Sequence, residues 1–318
     1  MAEDDWIRNS LSVTYAEHHG LFVLTTAYRE SDPLNAGGQL LLHSLSGDRE
    51  TRSVLSTCSP LAAMWQSPRH NLWLGGSDGS VWTTAQVNWP AGGPAFDVHD
   101  AGLRWTAMWL PPLAGCGLPP NVTAVWCPAD DAVFLATASG SVYHWNGRAW
   151  REFDAGTGAS LTKVHGFSQD DVYAVGYRGT ILHWNGRRWS VVPAPDLIDA
   201  VTIVTGIVAL RATGEVFAVT NRGELLRRER DRFALVEKAE GARFMGLAPW
   251  RGGLAAASAD GAWFYDGHLT HVRGTFAATD VRTAGGRLYF IQTEQPGGPG
   301  CIEYSHGPAG GEWSRIVF

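Results

Sequence analysis

Two stretches of the chain, residues 132–150 and 171–189, align without a gap and share the pattern G-x-x-x-H-W-N-G-R-x-W. Agreement of that length rarely arises by chance, so the chain is built from a repeated unit. The glycine that opens the pattern, Gly140 in one copy and Gly179 in the other, also recurs as Gly38, Gly79, Gly223, Gly261 and Gly300. From Gly38 to Gly300 the successive spacings are 41, 61, 39, 44, 38 and 39 residues. Five of these lie near the roughly 40–45 residues of a four-stranded unit, and the long one leaves about twenty extra residues in the second unit.

Each unit reads as four strands, A to D. Strand A is followed by a turn, as in Leu161 to Phe167, and strand B is apolar and rich in small and β-branched residues, as in Val172-Tyr173-Ala174-Val175. A tight turn then sets glycine where a positive φ is needed, as in Asn221-Arg222-Gly223 and Ala259-Asp260-Gly261. Strand C follows, and Asn146-Gly147, Asn185-Gly186 or Asp266-Gly267 turns the chain into strand D, which carries an aromatic or branched residue such as Trp150, Trp189 or Phe233. No segment of useful length holds a helical apolar stripe.

A lone four-stranded sheet cannot bury both faces. Stacking such sheets radially buries each face against the next and leaves only short edges. Seven glycine anchors therefore predict an all-β, seven-bladed β-propeller with four antiparallel strands per blade. The expected single domain covers residues 1–318, with blades near 11–56, 59–109, 121–153, 161–193, 204–237, 242–272 and 277–318. Small residues of strand B, such as Ala136, Ala174 and Ala218, suit close approach near the axis. The ring is expected to close without borrowing an N-terminal strand, with residues 6–10 available to add to an edge. The extra length at 85–102 falls on one face if 103–109 is strand D and on the other if 95–99 is.

Composition narrows the function. Hydrophobic residues at 45% and charged residues at 18% supply a large core and exclude disorder. The net charge of -6 comes with no basic arm, and the cluster Arg227, Arg228, Arg230 and Arg232 is broken by Glu229 and Asp231, so it reads as a solvated edge and not a nucleic-acid site. The acidic N-terminus lacks the apolar stretch of a secretory signal, and no run is long enough to span a membrane, so the expectation is a cytoplasmic protein. Lysine occurs only at Lys163 and Lys238 while Arg, Ala and Gly are common, a composition expected of a GC-rich bacterial gene. Cys58, Cys116, Cys127 and Cys301 form no C-x-x-C pair and read as buried or half-buried thiols, with a Cys116–Cys127 bridge as the other reading.

The segment from Asp171 to Trp189, D-V-Y-A-V-G-x-x-G-T-I-L-H-W-N-G-x-x-W, resembles a degenerate bacterial propeller repeat, similar in plan to WD40-like and Kelch-like rings. The likeness is strongest in blades 3 and 4, and it implies architecture only. The Gly-His and Trp-Asp pairs of WD40 repeats are absent. A double glycine of the Kelch kind stands at Gly75-Gly76, and Ser77-Asp78-Gly79-Ser80-Val81-Trp82 misses the spacing of the sialidase Asp-box. Trp184-Asn185-Gly186-Arg187-Arg188-Trp189 also resembles the turn of fucose-binding propeller lectins, although the Arg and Glu that such lectins repeat do not recur here.

His144 and His183 share one repeat position, where packing beside tryptophan explains them better than metal binding does. Asp130-Asp131 and Asp170-Asp171 read as turn carboxylates accepting backbone N–H groups. No G-x-S-x-G elbow or P-loop is found. The irregular loops carry the functional expectation. The B–C loop of blade 1 (Tyr28 to Gly37), that of blade 7 (Thr293 to Pro299) and the link from Trp109 to Pro120 would gather on one sector of the B–C face. Tyr28, Arg29, Glu30, Asp32, Trp109, Leu110 and Glu294, with the turn residues Arg178 and Arg222, are the expected partner-binding residues. The expectation is a non-catalytic, monomeric scaffold without cofactor that binds another protein, such as an immunity or accessory protein holding a toxin or effector. The alternatives are a glycan-binding lectin and a metal-dependent hydrolase or lactonase using the central channel.

Overall fold

A computed structural model describes residues 6–16, 20–29, 32–45, 50–90, 96–100, 102–196, 198–274, 276–292, 301–305 and 313–317. They form seven antiparallel sheets of consecutive strands. Blade 1 comprises Trp6–Ala16, Gly20–Arg29, Asp32–Ser44 and Thr51–Thr57, and blade 2 comprises Leu61–Gln66, Leu72–Gly76, Ser80–Thr83 and Leu103–Trp109. Blade 3 has Val122–Ala129, Ala132–Thr137, Ser141–Trp145 and Trp150–Asp154, and blade 4 has Leu161–Ser168, Asp171–Gly176, Ile181–Trp184 and Trp189–Val191. Blade 5 runs through Val204–Leu210, Glu215–Thr220, Glu224–Glu229 and Arg232–Lys238, and blade 6 through Phe244–Trp250, Gly253–Ser258, Gly261–Tyr265 and Leu269–Arg273. Blade 7 is Asp280–Ala284, Arg287–Gln292, Cys301–Ser305 and Trp313–Val317. No described residue is helical, so no helix is long and apolar enough to cross a membrane.

The A strands touch in order around a closed circle, including blade 1 against blade 7. No strand is exchanged at that seam, because all four strands of blade 7 come from the C-terminal end of the described chain. Side-chain packing alone joins it, with Val13, Leu21 and Val23 against Tyr289 and Ile291.

The alternation of strand B explains the core. In blade 4, Val172 and Ala174 face blade 3, while Tyr173 and Val175 face blade 5. Successive side chains point to opposite faces, and here both faces are buried, so the strand reads as a continuous apolar run. Among the described residues every blade junction has one such cluster. The B–C turn requires its glycine: Gly140 sits at φ 90°, and a Cβ there would lie 2.8 Å from the Ala159 carbonyl oxygen.

Two sequence expectations change. In blade 1 the described residues of the expected B–C loop continue the hairpin, with Ala27 opposite Gly37 and, beyond a register shift, Arg29 opposite Asp32. Its Pro, Asn and Gly content reads as a turn, yet an outer hairpin tolerates these residues where a doubly buried strand does not. In blade 2, 103–109 is the fourth strand, and Phe96–Asp100 adds a fifth outside it. The extra length thus extends the sheet outward.

The polar expectations are also refined. Asp130 takes side-chain donors from blade 2, Asn71 Nδ2 at 2.7 Å and Trp73 Nε1 at 3.1 Å, where backbone N–H groups were expected. Asp171 Oδ1 holds His183 Nε2 at 2.8 Å. His144 stacks on Phe134 at 4.2 Å and meets Trp184 edge-on, and burial lowers its pKa. Cys127 is buried as expected, whereas Cys58 and Cys116 are exposed free thiols, so Cys116 and Cys127 form no bridge.

Candidate functional site

The A strands of all seven blades line one axial channel of about 630 Å³. Alternation along strand A aims residues two apart at the same wall. In blade 4 these are Lys163 and His165, and in blade 7 they are Asp280 and Arg282. Lys163, Asp280 and Arg282 meet across the bore, since blades 4 and 7 lie nearly opposite in the ring. Lys163 Nζ donates to Asp280 Oδ2 at 2.8 Å, and Arg282 donates to the same oxygen from Nε at 3.1 Å, with Nη2 in ion-pair contact at 3.0 Å. Asp280 Oδ1 accepts the Val281 backbone N–H at 2.9 Å. Gly246, in strand A of blade 6, leaves the room for this carboxylate, which an added Cβ would strike.

Electrostatics fix the charge states. Burial would raise the Asp280 pKa, but Arg282 and Lys163 hold it below the ordinary carboxylate range. Burial draws the Lys163 ammonium below its usual value, although Asp280 opposes this. His165 Nδ1 accepts the Ala209 backbone N–H at 3.1 Å, so the proton of the neutral ring sits on Nε2. Burial first, then the charges of Arg282 and Arg211, pull the His165 pKa from 6.5 to about 3.

That depression predicts a pH effect of definite sign. Above pH 6.5 His165 is neutral in both the folded and unfolded chains. As pH falls through that value, only the unfolded chain takes the proton, so stability drops until about pH 3. Replacing His165 with Asn retains a hydrogen-bond acceptor near Ala209 and removes the titration. Chemical denaturation between these pH values should show the variant losing less stability than the parent, by up to about 1.4 kcal/mol per pH unit. Parallel pH profiles would refute a neutral His165.

The channel opens on the face of the A–B loops into a mouth of about 730 Å³. Trp65, Gln66, His165, Pro249 and Thr283 line both spaces. Trp65 stands edge-on to His165 at 5.5 Å, Trp126 lies 5.6 Å from the same ring, and the Arg282 guanidinium is 5.8 Å from the Trp65 ring. Pro128, Trp250, Arg211 and Arg251 complete the rim, with Arg251 over Trp250 at 5.1 Å. Among the described residues that line the channel and its mouth, Lys163, Arg211, Arg251 and Arg282 are the cations of lysine and arginine, and Asp280 is the one carboxylate. Among the described residues no group of three His, Cys, Asp or Glu side chains could hold a metal ion.

The partner-binding residues expected from sequence lie elsewhere, and they do not converge. Arg29 and Asp32 come together beside a cavity of about 440 Å³ on blade 1, and Tyr28 is half-buried in the preceding strand. Trp109 ends the fourth strand of blade 2, opposite Ser80. Leu110 is 4% exposed and packs into the junction of blades 2 and 3, so its side chain cannot serve as a docking contact. Its backbone N–H bonds the Gly79 carbonyl, which continues the strand inward. Arg178 and Arg222 are exposed on the B–C turns of blades 4 and 5, across the ring from blade 1, and Arg222 donates to Asp199 at 3.0 Å. Glu30 and Glu294 lie outside the described residues, as does the blade 7 loop. The basic cluster of blade 5 is an ion-paired outer edge, with Arg227 near Glu215 and Glu229.

Sequence reasoning missed the channel set. The available signal was ionisable residues at alternate positions of two A strands, one of them Lys163 in a chain with only two lysines.

No protein-family model matches the sequence, and no curated protein matches it. Solved structures do. A catalytically inactive virginiamycin B lyase from Staphylococcus aureus, with quinupristin, is 8% identical with a TM-score of 0.68, covering 92% of this chain and 94% of that one. The WD40 β-propeller domain of Doa1 is 13% identical with a TM-score of 0.65, covering 89% of each. YCF48 bound to D1 peptide is 15% identical with a TM-score of 0.55, covering 81% of this chain and 80% of that one. The chain is a seven-bladed β-propeller. At such identities the likeness is one of fold, and the chemistry of this propeller rests on its own residues.

Proposed function

We propose that this propeller is a non-catalytic protein-binding scaffold that seats a segment of a partner in the A–B mouth of its channel. The carrying observation is the mouth itself: a concave space walled by Trp65, Trp126, Trp250, Pro128 and Pro249 and rimmed by Arg211 and Arg251. Tryptophan and arginine are the side chains from which binding hot spots are most often made. The structural neighbour YCF48 was solved with a bound D1 peptide, which supports the same use of the fold. In the finer form of this proposal the chain is a bacterial immunity or accessory protein, monomeric and cytoplasmic, that holds a toxin or effector.

A second docking surface is favoured by the cavity beside Arg29 and Asp32 on the opposite face, where the sequence directed attention. The two are separable. Arg211→Glu with Arg251→Glu should weaken capture of the native partner at least tenfold, since rim charge reversal opposes an acidic partner. Arg29→Glu with Arg178→Glu and Arg222→Glu should leave capture nearly unchanged. Pull-down from the native host followed by titration of the purified partner measures both, and the reverse ranking would move the docking site to the B–C face. Against the glycan reading, Trp145, Trp150 and Trp184 of the lectin-like turns are buried between blades and Trp189 is half-buried, which leaves little ring surface to stack on a sugar.

A further inference from the structure

We propose that the channel is a carboxylate receptor: an aspartate or glutamate of the partner segment enters from the A–B mouth and is held by Lys163, Arg282 and His165, while flanking apolar residues pack on Trp65 and Trp126. This rests on the reading of the mouth as the docking site, and it specifies what the docked segment must contain.

The donors are arranged for an anion. An ammonium carries three N–H groups, and one of those on Lys163 goes to Asp280. A guanidinium carries five, and Arg282 commits Nε–H to the same carboxylate oxygen, with Nη2 in ion-pair contact beside it. The remaining donors of both side chains meet no protein acceptor among the described residues. Both side chains stay about a quarter exposed, 26% for Lys163 and 25% for Arg282, and both line the channel. The His165 Nε2–H adds a third donor at the junction of channel and mouth. Asp280 neutralises one of the two cations, so the cluster keeps one positive charge inside a narrow, largely apolar bore. There an incoming carboxylate gains charge-assisted hydrogen bonds that water screens poorly.

Geometry and charge also select the carrier. The wall above the donors is aromatic and proline-rich, so a bare inorganic anion would leave it uncovered. Channel and mouth are each as large as a small-molecule site, and together they hold a carboxylate side chain with its neighbouring residues. The rim arginines add attraction for an acidic segment, whereas the chain as a whole, at -6, does not.

The test uses the full chain and a displayed library of random short peptides. Panning should enrich peptides with one Asp or Glu between apolar residues. A selected peptide, synthesised with Glu and with Gln at that position, should bind the parent about 10- to 100-fold more tightly in the Glu form. Lys163→Met and Arg282→Met, each of which leaves Asp280 one cation, should abolish most of that Glu preference while the Gln form binds as before. Lys163→Arg should restore part of it. Enriched peptides without an acidic residue, or an unchanged Glu preference in both Met variants, would overturn the carboxylate receptor but leave the mouth as a docking site. Enrichment of no peptide at all would overturn both.

Discussion

Replacing Asp280 with asparagine is expected to destabilise the propeller by about 3 kcal/mol, read as a drop of roughly 5 °C in melting midpoint. Asp280 is 5% exposed, and its Oδ2 carries both Lys163 and Arg282. The substitution keeps the shape but removes the only carboxylate among the described residues lining the channel, so two cations face each other in the bore. Removing one side of a buried ion pair costs about 3–5 kcal/mol because the remaining charge is left unpaired. The lower figure applies, since both cations keep some access to channel water. Two comparisons sharpen the result. Adding Lys163→Met to Asp280→Asn should recover part of the loss, because it removes one of the opposed charges. Added salt should stabilise the single variant more than the parent by supplying a counter-ion. A variant within about 1 kcal/mol of the parent would show that the Lys163–Asp280–Arg282 cluster is solvated well enough to contribute little.

Trp73→Ala should have an effect of similar size by a different route. Trp73 is fully buried at the junction of blades 2 and 3, edge-on to Trp89 at 6.2 Å and Trp150 at 6.5 Å. Truncation removes this packing and opens a cavity that a rigid ring cannot collapse, at about 3–5 kcal/mol. It also takes away the Nε1 donor to Asp130, which keeps Asn71 as a partner. Trp73→Phe separates the two contributions: it keeps most of the area and loses the N–H, and should cost about 1–2 kcal/mol. A double-mutant cycle of Trp73→Phe with Asp130→Ala, followed by urea unfolding, should return a coupling near about 1 kcal/mol. Zero coupling would mean that the inter-blade hydrogen bond adds nothing beyond packing.

These two sites differ in how visible they are in the sequence. Trp73 belongs to a readable pattern: a continuous apolar run, next to the Gly75-Gly76 pair and ahead of a glycine turn. The B strands, their glycine turns and the Asn-Gly hairpins were legible for the same reason, since each depends on contacts within one unit of the repeat. In blade 1, Pro33, Asn35 and Gly37 have turn chemistry, yet the pairing of Ala27 with Gly37 resumes beyond a bulge as Arg29 with Asp32. Leu110 stands beside a run of prolines and looks like a loop residue, but its backbone still bonds Gly79 and its side chain turns into the core.

The channel shows where local reading ends. Repeat period and the alternation of apolar residues determined that this chain closes as a ring of sheets, because every sheet must bury two faces and only another copy of itself can cover them. That same alternation determined that Lys163 and His165, and likewise Asp280 and Arg282, share a wall of their own strand. Only the tertiary structure decided that these two pairs meet, 117 positions apart from Lys163 to Asp280. Ring closure carries blade 4 to the far side of the bore from blade 7, and that distance is set by the number of blades and their radial packing, which no single repeat encodes.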